Sequence, residues 1–126
     1  MRRTDQRRVA VFALYQHDLT GRPLEKTLEP DPPRYAKELA TGVLEHSGDL
    51  DRAIEVHAKG WSLDRIAPLE RAILRTAIYE MRERSDIPAE VAIDQAVELA
   101  KEFCGADAPG FVNGILGAVA REQPAS

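Results

Sequence analysis

The sequence predicts an all-α fold, a bundle of about seven helices, and three observations carry that prediction. Apolar residues recur at three- and four-residue spacing along most of the chain. No alternating run is long enough to make a strand, and no internal repeat is visible. Prolines and glycines fall between the apolar stripes, where they open and close helices.

Taken in order, the first helix is expected over about residues 4–20, capped by Thr4 and stopped by Gly21 and Pro23. Residues 22–32 hold three prolines and read as a loop. Asp31-Pro32 then reads as an N-cap and first-turn proline for a second helix carrying Tyr35, Leu39 and Val43 on one stripe. Ser47 and Gly48 are expected to break it. A third helix runs from about Asp49, with Leu50, Ala53, Ile54 and His57 inward, and ends at Gly60. Ser62 is expected to cap a short turn carrying Leu63 and Ile66, with Trp61 as a core anchor. From Pro68 a long helix has apolar residues on two sides: Leu69, Ala72, Ile73, Thr76 and Ala77 on one, Leu74, Ile78 and Met81 on another. That pattern predicts a central, covered helix. Pro88 opens the next helix, with Ile93, Ala96, Val97 and Ala100 at helical spacing, and Gly105 closes it. Asp107 is expected to cap the last helix, with Phe111, Val112, Ile115, Leu116 and Val119 on its stripe. Gly114 and Gly117 cost that helix about 1 kcal/mol each relative to alanine. A close helix-to-helix approach is expected there, and Asn113 is expected to be partly buried and hydrogen-bonded.

The 126 residues fit one domain, or two small subdomains sharing a core. The single cysteine, Cys104, cannot form an internal disulfide, and no signal peptide is visible; a reducing, cytoplasmic compartment is expected. No apolar run approaches the length of a membrane span, so no membrane partner is expected. His17, His46 and His57 are dispersed, without Cys or carboxylate at metal-ligand spacing. No metal, cofactor or catalytic constellation is expected. Arg71 and Arg75 share a face and read as partners of nearby carboxylates, while Glu80 and Arg84 read as a surface i,i+4 pair.

Charge is distributed unevenly. The chain carries a formal net charge of −4, yet Arg2, Arg3, Arg7 and Arg8 outnumber Asp5 by three in the first eight residues. Arginine in the first turns of a helix opposes the macrodipole, so folding alone does not favour it there. At about 100° per residue, Arg3 and Arg7 lie about 40° apart and Arg8 lies about 20° from Tyr15. Arginines pair with phosphates, and an aromatic ring stacks on an unpaired base, a combination suited to single-stranded RNA. The competing readings are a solvated basic terminus, or arginines that meet an acidic partner protein.

The second half carries a family resemblance. Trp61 to Ile66, "LERAILRTAIYE" at Leu69–Glu80, then "DIPAEVAI", "AVELAK" and "FVNGIL" stand in order, and "RRVAVFALYQHD" is in register at the start. Together these blocks resemble the NusB family of transcription antitermination factors. The family's "INEA" stands here as Ile93, Asp94, Gln95 and Ala96. The resemblance implies two small helical subdomains, about 1–60 and about 61–126. It implies binding of boxA RNA in ribosomal RNA leader transcripts, together with NusE, a small-subunit ribosomal protein, in a complex that helps RNA polymerase resist termination. By position it implies RNA-binding roles for Arg2, Arg3, Arg7 and Arg8, with Tyr15 as an added contact, and places Asp107 and Phe111 near RNA or partner. Members are monomers or homodimers that cover the basic face. A related domain stands at the front of ribosomal RNA cytosine methyltransferases, and an accessory RNA-binding domain of that kind is the alternative. The cofactor-binding α/β domain of those enzymes is not expected here.

Overall fold

A computed structural model describes residues 1–122. Seven α-helices and one 3₁₀ turn account for the regular structure among them: α1 (Arg3–Thr20), α2 (Leu24–Thr27), α3 (Arg34–Glu45), α4 (Ser47–His57), the turn Leu63–Arg65, α5 (Pro68–Glu83), α6 (Ala89–Phe103) and α7 (Ala108–Glu122).

The centre is α5, which packs against α1, α3, α4, α6 and α7. Its sequence explains why. Ala72, Ile73, Leu74, Thr76, Ala77, Ile78, Glu80 and Met81 are all buried, so the burial runs around most of the helix. Thr76 satisfies its hydroxyl by donating to the Ala72 carbonyl, 2.8 Å away. Buried side chains from both halves of the chain, including Leu39, Ile54, Leu74 and Leu116, form one continuous cluster.

Local chemistry sets the boundaries, and several differ from expectation. Gly21 closes α1 in the left-handed region at φ 73°, its N–H donating to the His17 carbonyl at 2.9 Å. Thr4 lies inside α1, and the N-cap is Arg2, with no side-chain cap. The proline-rich segment contains the single turn α2. Asp31 is not the cap of α3: it sits at φ 54°, and the helix starts two residues beyond Pro32. The missing cap comes from another element. Gln6 Oε1 on α1 accepts the Tyr35 and Ala36 N–H groups at 2.9 and 3.3 Å, fixing the start of α3 against α1. Ser47 and Gly48 do not form a break. His46 alone separates α3 from α4; its N–H closes one on Gly42 and its carbonyl opens the other to Leu50.

Three expected packing roles are corrected. Trp61 is 54% exposed, packing edge-on against Phe111. Asn113 is exposed. No neighbour stands within 4 Å of a Cβ built on Gly114, and at Gly117 only the end of Arg121 comes as near as 3.4 Å. The close approach lies instead at Gly42, where a Cβ would overlap the Tyr79 ring and α3 meets α5.

Candidate nucleic-acid interface

The four N-terminal arginines do not share one environment. Arg2 is open to solvent, its side chain 85% exposed and loosely paired with Asp5 at 3.8 Å. Arg3 is 45% exposed and donates to Asp86 at 3.3 Å. Its guanidinium carbon lies 4.1 Å from the centroid of the Tyr35 ring, a cation–π distance. Arg8 is 40% exposed, donates to Glu102 at 2.8 Å and lies over the Phe103 ring at 5.5 Å. Arg7 differs from the other three. It is buried, and its Nε–H is shared between the two oxygens of the equally buried Glu80, at 2.8 and 2.9 Å.

Glu80 is thereby removed from its expected surface pair. Its other partner is the hydroxyl of Tyr35, which donates to Oε2. Burial, then the bond to Glu80 and its negative charge, push the Tyr35 phenol well above its ordinary value, so it stays protonated as a donor. Arg84 turns the other way. It donates to both oxygens of Asp86, at 3.1 and 3.2 Å, and to Glu38 at 2.9 Å, while lying 5.0 Å from the Tyr35 centroid. Its hydrogen bonds, with that of Arg3, hold the Asp86 carboxyl well below the usual carboxylate range.

Beside Arg8 runs an aromatic track. Phe12 meets Phe103 edge-to-face at 4.9 Å and Tyr15 at 6.3 Å. Tyr15 is half-buried against the core, whereas Phe103 is exposed. Beyond the end of α6, Trp61, Arg65, Ile66, Glu70, Asp107 and Phe111 line a groove of about 270 Å³. Asp107 is exposed and its carbonyl accepts the Phe111 N–H at 3.2 Å, so these two expected residues stand together on one wall. Burial raises the Glu70 carboxyl, and burial with the charge of Glu70 raises the Cys104 thiol, away from a reactive thiolate.

Several charges elsewhere on the surface are internally paired. Arg71 meets Asp18 at 2.9 Å, and Arg75 meets Asp51 at 2.6 Å, as the sequence led one to expect. His57 meets Glu122, and His46 lies near Glu83. Among the described residues no group of three or more His, Cys, Asp or Glu is placed to hold a metal, and no helix is long and apolar enough to cross a membrane. Two participants had no clear signal in sequence. Phe103 is not among the stripe residues expected on its helix, although at about 100° per residue it lies about 20° from Ala96, and Arg84 seemed committed to Glu80.

A family model, the NusB family, matches residues 4–121. A Thermoanaerobacter protein described as transcription antitermination protein NusB is 38% identical, covering 98% of this chain and 93% of its own length. Its counterpart from Symbiobacterium thermophilum is 41% identical over 96% of this chain and 90% of its own. Among solved structures, NusB from T. maritima superposes with a TM-score of 0.87 at 34% identity, covering 97% of this chain and 92% of that one. A structure of antitermination factors NusB and NusE in complex with double-stranded RNA matches with a TM-score of 0.85 at 27% identity, over 96% of this chain and 97% of that one. With a family model spanning nearly every described residue and relatives matched along almost their whole length, the chain belongs to the NusB family.

Proposed function

We propose that this protein is a non-enzymatic transcription antitermination factor that binds boxA-type single-stranded RNA of ribosomal RNA leader transcripts together with NusE. In that complex it helps RNA polymerase resist termination. The observation that carries the reading is the solvent-facing set Arg2, Arg3 and Arg8 at one end of α1, next to the track Phe12, Tyr15 and Phe103. Guanidinium groups take phosphates, and rings such as Phe103 and Tyr15 take bases only where those bases are unpaired. The similar NusB solved with NusE and double-stranded RNA supports an RNA and a NusE partner, though not the single-stranded form of that RNA. Relatives covered along nine-tenths of their length favour a free-standing factor over an accessory domain of a methyltransferase. Asp107 and Phe111, on the groove wall, are assigned to the same RNA or to the partner.

The test is RNA affinity at several salt concentrations. For single strands log K falls with log salt by about 0.7 for each neutralised phosphate, so three engaged arginines give a slope of about −2.1. Arg8→Ala is expected to weaken binding and flatten the slope by about 0.7. Phe103→Ala is expected to weaken it with the slope unchanged, because stacking releases no counterion. An Arg8→Ala protein that keeps the parent's affinity and slope would remove the basic end of α1 from the function.

A further inference from the structure

Two of the three exposed arginines at the start of α1 are already engaged, each by a carboxylate from a different part of the chain. Asp86, in the connection between α5 and α6, lies between two guanidinium groups. Its Oδ2 takes Arg3 at 3.3 Å and Arg84 Nη2 at 3.2 Å, and its Oδ1 takes Arg84 Nε at 3.1 Å. Glu102, near the end of α6, takes Arg8 through Nη2 alone at 2.8 Å; the Arg8 Nε has no partner among the described residues. Both carboxylates are about half exposed and Arg3 and Arg8 nearly so, so a solute anion reaches these two guanidinium groups without opening the core, while Arg84 is 26% exposed.

The two environments share a design. Each guanidinium lies over an aromatic ring, Arg3 and Arg84 over Tyr35 and Arg8 over Phe103, so each has its flat face fixed and its edge presented to an anion. A carboxylate and a phosphate offer the same pair of oxygens to such an edge. The Tyr35 ring is itself held in place: its hydroxyl bonds Glu80 and its backbone N–H bonds Gln6. The cradle between Arg3 and Arg84 is therefore built, and its present occupant is a side chain on a connecting segment.

We propose that Asp86 and Glu102 occupy the phosphate positions of the RNA site and act as intramolecular competitors, so that RNA binds Arg3, Arg84 and Arg8 by displacing them. This inference rests on the RNA-binding reading and adds two things to it. Arg84 becomes a phosphate contact. The two acids become specificity-determining residues: a polyanion that brings phosphates alone must first break the internal pairs, whereas an RNA that also stacks its bases offsets that loss. Exposed ion pairs are weak enough to be exchanged, and salt weakens them further.

The experiment measures affinity for a single-stranded boxA RNA oligonucleotide from low to high salt. The proteins are the parent, Asp86→Asn, Glu102→Gln and Glu90→Gln. Glu90, an exposed acid in the first turn of α6, controls for the general loss of a negative charge. Asp86→Asn and Glu102→Gln are each expected to tighten binding by about two- to five-fold at low salt, with the gain shrinking as salt rises. Glu90→Gln is expected to give a smaller gain. A double-mutant cycle separates displacement from bulk charge: in an Arg8→Ala background the Glu102→Gln gain is expected to fall to that of the control. Glu102 makes a single exposed contact, so its variant folds even if Asp86→Asn loosens Arg84. Parent binding with no gain over Glu90→Gln, or a Glu102→Gln gain that survives loss of Arg8, overturns the proposal and leaves the RNA reading intact. Failure of the parent and every variant to bind overturns both.

Discussion

Arg7 and Arg8 are adjacent in sequence and opposite in fate. The 100° turn between them sends Arg7 inward to Glu80 and Tyr35, and Arg8 outward to Glu102. Arg7→Ala leaves the Glu80 carboxylate buried without its cation, and breaking such a pair costs about 3–5 kcal/mol. Arg8→Ala removes one exposed pair, which is worth about 0–1 kcal/mol, and lifts a cation from a helix N-terminus. Denaturant unfolding is therefore expected to show a large loss for Arg7→Ala and almost none for Arg8→Ala; equal midpoints would refute the internal role of Arg7. This reverses the inference from helix electrostatics alone, by which both arginines could be removed without cost. With Arg7 buried on Glu80, an RNA-binding defect in Arg7→Ala is expected to be accompanied by this loss of stability. The sequence showed that the basic run existed and where it began. It could not show which arginine turned inward, because the partner lies 73 residues away and seemed already paired with Arg84. A buried ion pair of that kind has no periodic signature.

At the scale of elements, glycine chemistry separates two helices. On α3, a Cβ at Gly42 would overlap the ring of Tyr79, so Gly42→Ala forces α3 and α5 apart or turns the ring out. Overpacking of this kind costs about 1–3 kcal/mol. On α7, Gly114 faces open space, and Gly114→Ala is expected to stabilise by about 0.5–1 kcal/mol through helix propensity alone. Thermal unfolding of the two variants checks both signs; a destabilised Gly114→Ala would restore the close approach first expected on α7. The long helices were legible because their apolar stripes are long: α1 and α6 begin and end, and α5 and α7 begin, within a residue or two of expectation. What failed was decided by contacts between elements. The cap of α3 is Gln6 from α1, the turn α2 hides among prolines, and Trp61 belongs to the groove edge and not to the core. Aromatic size signals burial on average, but says nothing about a residue in the connection between α4 and α5.

The chain is acidic overall with arginines concentrated in its first eight residues, and in the fold Asp5, Asp86, Glu80 and Glu102 offset much of that positive charge at the start of α1. That end is small. Three exposed arginines and one short aromatic track offer few contacts, and two of the arginines must first leave Asp86 and Glu102. A short RNA bound there alone pays ordering and displacement costs against little area. A second protein that binds the same RNA beside this one adds contacts without a second loss of translational freedom. Under the proposed function that protein is NusE. Raised RNA affinity in its presence is the expected result, and linkage makes the effect reciprocal: RNA must tighten NusE binding by the same factor, within the usual range of about 5- to 150-fold. Two titrations measure it, RNA into the protein with and without saturating NusE, and NusE into the protein with and without saturating RNA. Equal factors above unity are expected. If Arg8 serves the RNA alone, Arg8→Ala lowers RNA affinity with and without NusE and leaves NusE affinity without RNA at the parent's value. No change in either direction would take NusE out of the proposal, and the basic end of α1 would then have to hold its RNA unaided.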